Sequence, residues 1–243
     1  MKKKNFLLVV VVVFIILELF GCSSGKRTTT NEAINKSEKK VVKNNEKESR
    51  NFIMSNHIME VDRIEFLMNP DNKPVHGNKL TTVIYDSSGL MKETDSFNSE
   101  GKLLYKYLYD FNPNGKRIKT IRYNSKGDTD KYYNYEYDKN GNKIKSVRFN
   151  ANGKPDETYI YKYDDEGNLI EELWYDANKN LEYKIEYENN NGRKTSYRTY
   201  NSKGDLISKY NFNYNNQCKI IEQERYDADG DKVGVIQYVY KYY

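Results

Sequence analysis

Few side chains in this 243-residue chain could do chemistry by type and spacing. Histidine occurs at His57 and His76 only, apart from each other and without a metal-ligand spacing. No local signature of a nucleophile, base and acid set accompanies them. Asp227-Ala-Asp-Gly-Asp231 opens like a calcium loop, but the twelfth position, where a bidentate glutamate belongs, is Tyr238. The residues therefore predict no metal, no cofactor and no catalytic set, and the chain reads as a non-enzyme.

Cysteine occurs at Cys22 and Cys218. Lys2, Lys3 and Lys4 precede an apolar run from Phe6 to Leu17, then Leu19-Phe20-Gly21-Cys22. A basic start, a short apolar core and a small residue before the cut describe a signal peptide over 1–21. Leu-Phe-Gly-Cys resembles the lipobox of bacterial lipoproteins. That resemblance implies cleavage after Gly21, lipidation of Cys22, membrane attachment through the lipid, and an address in the bacterial envelope at the outer membrane or cell surface. Residues 22–50 are mostly Ser, Thr, Lys, Asn and Glu, too polar to offset their ordering entropy, and read as a disordered tether. With Cys22 taken by lipid, no internal disulfide is expected, and Cys218 reads as a replaced turn residue.

The 24 tyrosines carry the remaining chemistry. Tyr133, Tyr135, Tyr137 and Tyr159, Tyr161, Tyr163 form two alternating rows. Such rows could stack on sugar rings or face a surface protein, which makes a glycan or protein the candidate ligand. The same rings read first as the core, packed across strands. The net charge of +5 falls to +3 with the signal peptide, which removes three lysines and a glutamate. That is too little to argue for nucleic acid.

What positions these rows is a repeat. A four-residue punctuation beginning with Asp or Asn and usually ending in Gly recurs, as at Asp138–Gly141 and Asn150–Gly153. This is the mark of a type I turn followed by a left-handed residue. Its fourth positions alternate by 12 and 14 residues, giving six 26-residue units that open at 89, 115, 141, 167, 192 and 218, with one irregular interval of 13. Between turns lie strand-like segments rich in Tyr, Ile, Val and Thr. The expected fold is an all-β, antiparallel up-and-down meander of about 13 strands in a single twisted or curled sheet.

If Asp138 pairs with Asn142, the register puts Lys143, Lys145, Val147 and Phe149 on the tyrosine face. The aromatics eight residues beyond each opening turn position, Phe97, Tyr123, Phe149, Tyr175, Tyr200 and Tyr226, would join them. Lys162, Glu172, Arg148, Asn134, Ile144, Ile160, Ile170 and Trp174 would then occupy the opposite face. Charges on both faces disfavour a membrane-spanning barrel. Residues 51–84 read as an N-terminal cap and first strand ahead of a repeat domain over 85–243.

Tyr85-Asp86-Ser-Ser-Gly89, Tyr137-Asp138-Lys-Asn-Gly141, Tyr163-Asp164-Asp-Glu-Gly167 and Tyr226-Asp227-Ala-Asp-Gly230 resemble the YD motif of RHS-type repeats, and the pattern looks like shorter MORN-like repeats. The resemblance covers about 85–243 and implies wrapped β-sheet more than an activity. Three functions follow as expectations. The first is a lipid-anchored, non-enzymatic envelope protein that binds or supports. The second is a carbohydrate-binding module using the tyrosine face, and the third a toxin-neutralising or immunity protein.

Overall fold

The computed structural model describes residues 45–69, 71 and 73–242. Cys22, the signal peptide and most of the tether lie outside them. A helix, α1 (Asn45–Ser55), precedes fourteen strands. They are β1 (Ile58–Met68), β2 (Pro74–Tyr85), β3 (Met91–Phe97), β4 (Leu103–Phe111), β5 (Arg117–Asn124), β6 (Thr129–Tyr137) and β7 (Lys143–Asn150). Then follow β8 (Pro155–Tyr163), β9 (Leu169–Asp176), β10 (Leu181–Asn190), β11 (Arg193–Asn201), β12 (Leu206–Tyr214), β13 (Ile220–Tyr226) and β14 (Lys232–Tyr242).

Every strand pairs antiparallel with its chain neighbours, and β1 also pairs with β14, from Ile58 opposite Tyr242 to Leu67 opposite Gly234. The sheet is therefore a closed barrel of fourteen strands. This corrects the open sheet of about 13 strands. The meander is as expected, but residues 58–68 supply one more stave, and that stave bonds to β2 on one side and β14 on the other. Closure removes both edges, which in an open sheet would leave a row of backbone groups unpaired.

The punctuation residues do form the turns. Asp138 N–H donates to the Asn142 carbonyl at 2.9 Å, and Gly141 N–H to the Asp138 carbonyl at 3.0 Å. Asp138 Oδ1 accepts from the backbone N–H groups of Asn140 and Asn142 at 2.9 and 2.8 Å. Gly141 sits at φ 86°, a conformation that costs glycine little. Where glycine is missing, Lys179 and Cys218 take φ 68° and 63° in the same place. The irregular interval has a local cause. Asn190 pairs directly with Arg193 around Asn191-Gly192, both at positive φ, so this hairpin closes on two residues where the others use more.

A β-bulge follows each turn, and it changes which side chains face inward. Glu136 lies opposite Lys145 but Tyr137 opposite Lys143, leaving Ile144 as an extra residue. A one-residue slip sends every later side chain of that strand to the other face. Two successive bulges restore the long strands, so Tyr133, Tyr135, Tyr159 and Tyr161 share the inner face as expected. The short strands are inverted relative to expectation: Tyr133 pairs with Arg148, Tyr135 with Ser146, Tyr159 with Trp174 and Tyr161 with Glu172. Arg148, Glu172 and Trp174 are therefore inside. Val147 and Phe149 are outside, and the other eighth-position aromatics go with Phe149.

One end of the barrel carries α1. Ile53 is buried there, and Phe52 packs against the core. Arg50 approaches Gly89 and Gly115, while Lys219 lies 5.7 Å from the Phe52 ring, so the helix reaches turns on both sides of the barrel end. His57, at φ 51°, ends the helix by donating its N–H to the Met54 carbonyl and turns the chain into β1.

Candidate functional site

The bore is built from the tyrosine rows. Tyr107, Tyr133, Tyr159, Tyr187, Tyr197, Phe212 and Tyr238 are buried, as are Ile185 and Ile236. Two ladders of hydrogen bonds satisfy the hydroxyls of the tiers nearer α1, which matters because a buried unbonded phenol costs about 1–3 kcal/mol. In the first, each tyrosine reaches fifteen residues back. Tyr109 donates to Thr94 Oγ1 at 2.7 Å, Tyr135 to Thr120 Oγ1 at 2.6 Å, Tyr187 to Glu172 Oε2 at 3.0 Å and Tyr238 to Gln223 Oε1 at 2.7 Å. Tyr161 and Ser146 share a bond of 2.9 Å.

The second ladder reaches twenty residues back, to backbone carbonyls. Tyr137 donates to Arg117, Tyr163 to Lys143, Tyr214 to Lys194 and Tyr240 to Ile220, and Asn189 stands in by donating its amide to Leu169. Cations lie over the rings at the α1 end. Arg117 stands 4.4 Å from the Tyr109 ring, Lys143 4.1 Å from Tyr161 and Lys194 4.1 Å from Tyr187. Each such contact contributes roughly 0.5–2 kcal/mol according to its desolvation.

Glu172 is the carboxylate of this layer. It is 4% exposed and accepts from Trp174 Nε1 at 2.7 Å as well as from Tyr187. Burial pushes its carboxyl above the usual range, against the pull of the Lys143 charge, those two hydrogen bonds and Lys194. Burial likewise carries the phenols of Tyr133 and Tyr159 far above their ordinary value. Trp174 meets Tyr159 edge-on at 5.2 Å and Tyr183 at 5.9 Å.

Of the six tyrosines proposed as ligand-binding, Tyr133, Tyr135, Tyr159 and Tyr161 line a cavity with Arg117, Lys143, Ser146, Glu172 and Trp174. Tyr137 and Tyr163 sit one tier nearer α1, on the backbone ladder. The cavity holds about 20 Å³, room for roughly one water. A sugar ring does not fit it. Among the described residues no group of three or more His, Cys, Asp or Glu could hold a metal.

The outer wall divides into two halves. From β10 through β14 to β3 it is laced with ion pairs: Lys184 to Glu186 at 2.7 Å, Arg198 to Glu188 and Lys232 to Glu224 at 2.5 Å each, and Lys79 and Lys241 to Asp62 at 2.9 and 3.2 Å. From β4 to β9 it carries apolar rows bordered by fewer charges, among them Lys145 paired with Glu136 and Lys162 with Glu171. Leu108, Ile121, Tyr132 and Phe149 lie opposite one another on successive strands, and Tyr132 stacks on Phe149 at 4.8 Å and 6°. Val147, Thr158 and Tyr175 make a second row, and Ile160 faces Leu173. Sequence reasoning missed this wall because the bulges assign Val147 and Phe149 to it. The ion pairs of the other half stand where a spanning barrel would meet lipid, at a cost of about 2–4 kcal/mol per midplane Lys or Arg. No described helix is long and apolar enough to cross a membrane.

Cys218 holds its expected turn place, donating its N–H to the Asn215 carbonyl at 2.9 Å. It is also disulfide-bonded, where no internal disulfide was expected. The sequence has one other cysteine, Cys22, outside the described residues.

No protein-family model matches the chain, and no curated protein matches it in sequence, so the YD-type resemblance has no sequence family behind it. Solved structures overlap it loosely. A porin-like protein from Bacteroides uniformis is 10% identical, over 76% of this chain and 98% of its own, with a TM-score of 0.44. A LolA superfamily protein from Nitrosomonas europaea is 12% identical, over 79% and 91%, with a TM-score of 0.29. A chain of the Photorhabdus luminescens Tc holotoxin pore is 13% identical over 67% of this chain and 12% of its own, with a TM-score of 0.30. None of these three reaches a TM-score of one half.

Proposed function

We propose that this chain is a lipid-anchored, non-enzymatic protein of the bacterial envelope, in which the tyrosine bore holds the barrel together and the outer wall of β4–β9 does the binding. The observation that carries the division of labour is the pair of hydroxyl ladders around a cavity of about 20 Å³. Phenols bonded at fixed offsets to Thr, Ser, Glu, Gln and backbone carbonyls are occupied as structural groups. The wall's side chains face outward instead, half-buried at Ile121, Tyr132, Val147 and Phe149 and 36% exposed at Leu108. The anchor rests on the lipobox-like Leu19-Phe20-Gly21-Cys22.

Metabolic labelling with a radioactive fatty acid tests the anchor. Label that enters the full chain and is lost in Cys22→Ala supports it, and an unlabelled wild type contradicts it. The two fates of Cys22 exclude each other, because a thioether sulfur cannot also be in a disulfide, so intact mass decides between them: an acyl-glyceryl adduct supports the anchor, and an unacylated chain with Cys22 bridged to Cys218 contradicts it. Trypsin treatment of whole cells then reports the side of the envelope: cleavage before lysis means display outward, and protection until lysis means a periplasm-facing protein.

A further inference from the structure

We infer that the apolar outer wall of β4–β9 is the face on which a second copy of this chain docks, sheet against sheet; this deepens the wall-binding reading above and rests on it. Its strands are eight or nine residues long. At about 4.8 Å between strands, six of the fourteen make a curved wall of roughly 24 by 27 Å, or some 650 Å² measured along its surface. A stable protein interface buries about 800 Å² per partner, and corrugated side chains bring this outline close to that. Antiparallel sheets pack face to face when the meeting sides are apolar and alternate with inward residues, which is how this wall is made.

The charges at its border choose the occupant. On this wall Lys145 pairs with Glu136 at 2.8 Å and Lys162 with Glu171 at 2.5 Å, Lys106 pairs with Glu93 of β3, and Lys119 stands opposite Asp110, so each of these lysines has an acidic neighbour. An anionic bilayer or a polyanion would be met by an excess of cations. A rim that is neutral in pairs is complementary to itself under a twofold axis, where each lysine meets the partner's glutamate. Ile118, Ile144 and Ile170, exposed by 48%, 38% and 40%, extend the apolar surface to the α1 end. On the ion-paired half the exposed Ile207, Ile221 and Val239 stand among charges, so only one side of the barrel offers this surface.

The test places a photo-crosslinking amino acid at Val147 or Ile160 of the full chain in expressing bacterial cells, with Asn213 on the ion-paired half as control. Two differently tagged copies are present together. Self-docking predicts a band of doubled mass carrying both tags from positions 147 and 160, none from 213, and loss of that band when Ile121→Glu is added to a chain that still unfolds at the wild-type temperature. A product with a different protein from 147 and 160 overturns self-docking and leaves the wall reading standing. Lipid adducts, or no product from the wall positions, overturn both.

Discussion

The hairpins β5–β6 and β11–β12 fill the same tier of the bore in different ways. In the first, Tyr135 donates to Thr120 at 2.6 Å. In the second, the equivalent places hold Phe212 and Tyr197, whose rings tilt together at 5.8 Å, while Tyr197 stacks on Tyr210 at 4.6 Å. The hydroxyl is present where an acceptor stands fifteen residues back and absent where a ring stands there. Between them, β9–β10 uses Glu172, which lets one acceptor serve both Tyr187 and Trp174. The comparison teaches that the repeat conserves satisfaction of polar groups, with the residue types free to change in pairs.

Breaking the charged version should cost most. Glu172→Ala leaves two buried donors without their acceptor and Lys143 and Lys194 without their buried counter-charge, so chemical unfolding should show a loss of about 3–5 kcal/mol. Glu172 also gives a pH signature. Because burial raises its carboxyl above 4.5 in the folded chain, the folded state holds a proton that the unfolded state releases. Its contribution to stability is full below pH 4.5 and declines as pH rises through the raised value. In Glu172→Gln that decline disappears, so the stability of the variant relative to wild type should improve as pH rises across the window. A flat difference contradicts the assignment.

The neutral versions should cost less. Tyr238→Phe strands Gln223 Oε1, in a side chain with 0% exposure, and should lose about 2 kcal/mol. Tyr135→Phe, beside a threonine hydroxyl that can rotate, should lose about 1 kcal/mol. The reverse change is the sharpest comparison. Phe212→Tyr brings a hydroxyl to a place with a ring where its acceptor would be, and should destabilise by about 1 kcal/mol. If Phe212→Tyr stabilises the chain, the pairing rule is wrong.

Much of this architecture was legible in the residues. The Asp or Asn and Gly spacing located the turns, and the alternating tyrosines of the long strands shared a face, because both signals repeat every 26 residues. Three features were not legible. A bulge adds one residue without any residue type of its own, so Glu172 and Trp174 were expected outside and Phe149 inside. Barrel closure depends on β1 meeting β14 across the whole length of the chain, and nothing local in Ile58–Met68 names that partner. The bore's missing ligand space follows from the ladders, which come into view only when Thr120 and Tyr135 are brought together.

The most direct test of a structural bore and a working wall is tyrosine nitration of the native protein, read residue by residue by mass spectrometry. The account predicts that Tyr133, Tyr159, Tyr187 and Tyr238 stay unmodified while Tyr242, 54% exposed, reacts. Modification of Tyr133 and Tyr159 at the rate of Tyr242, with the protein still folded, would contradict it.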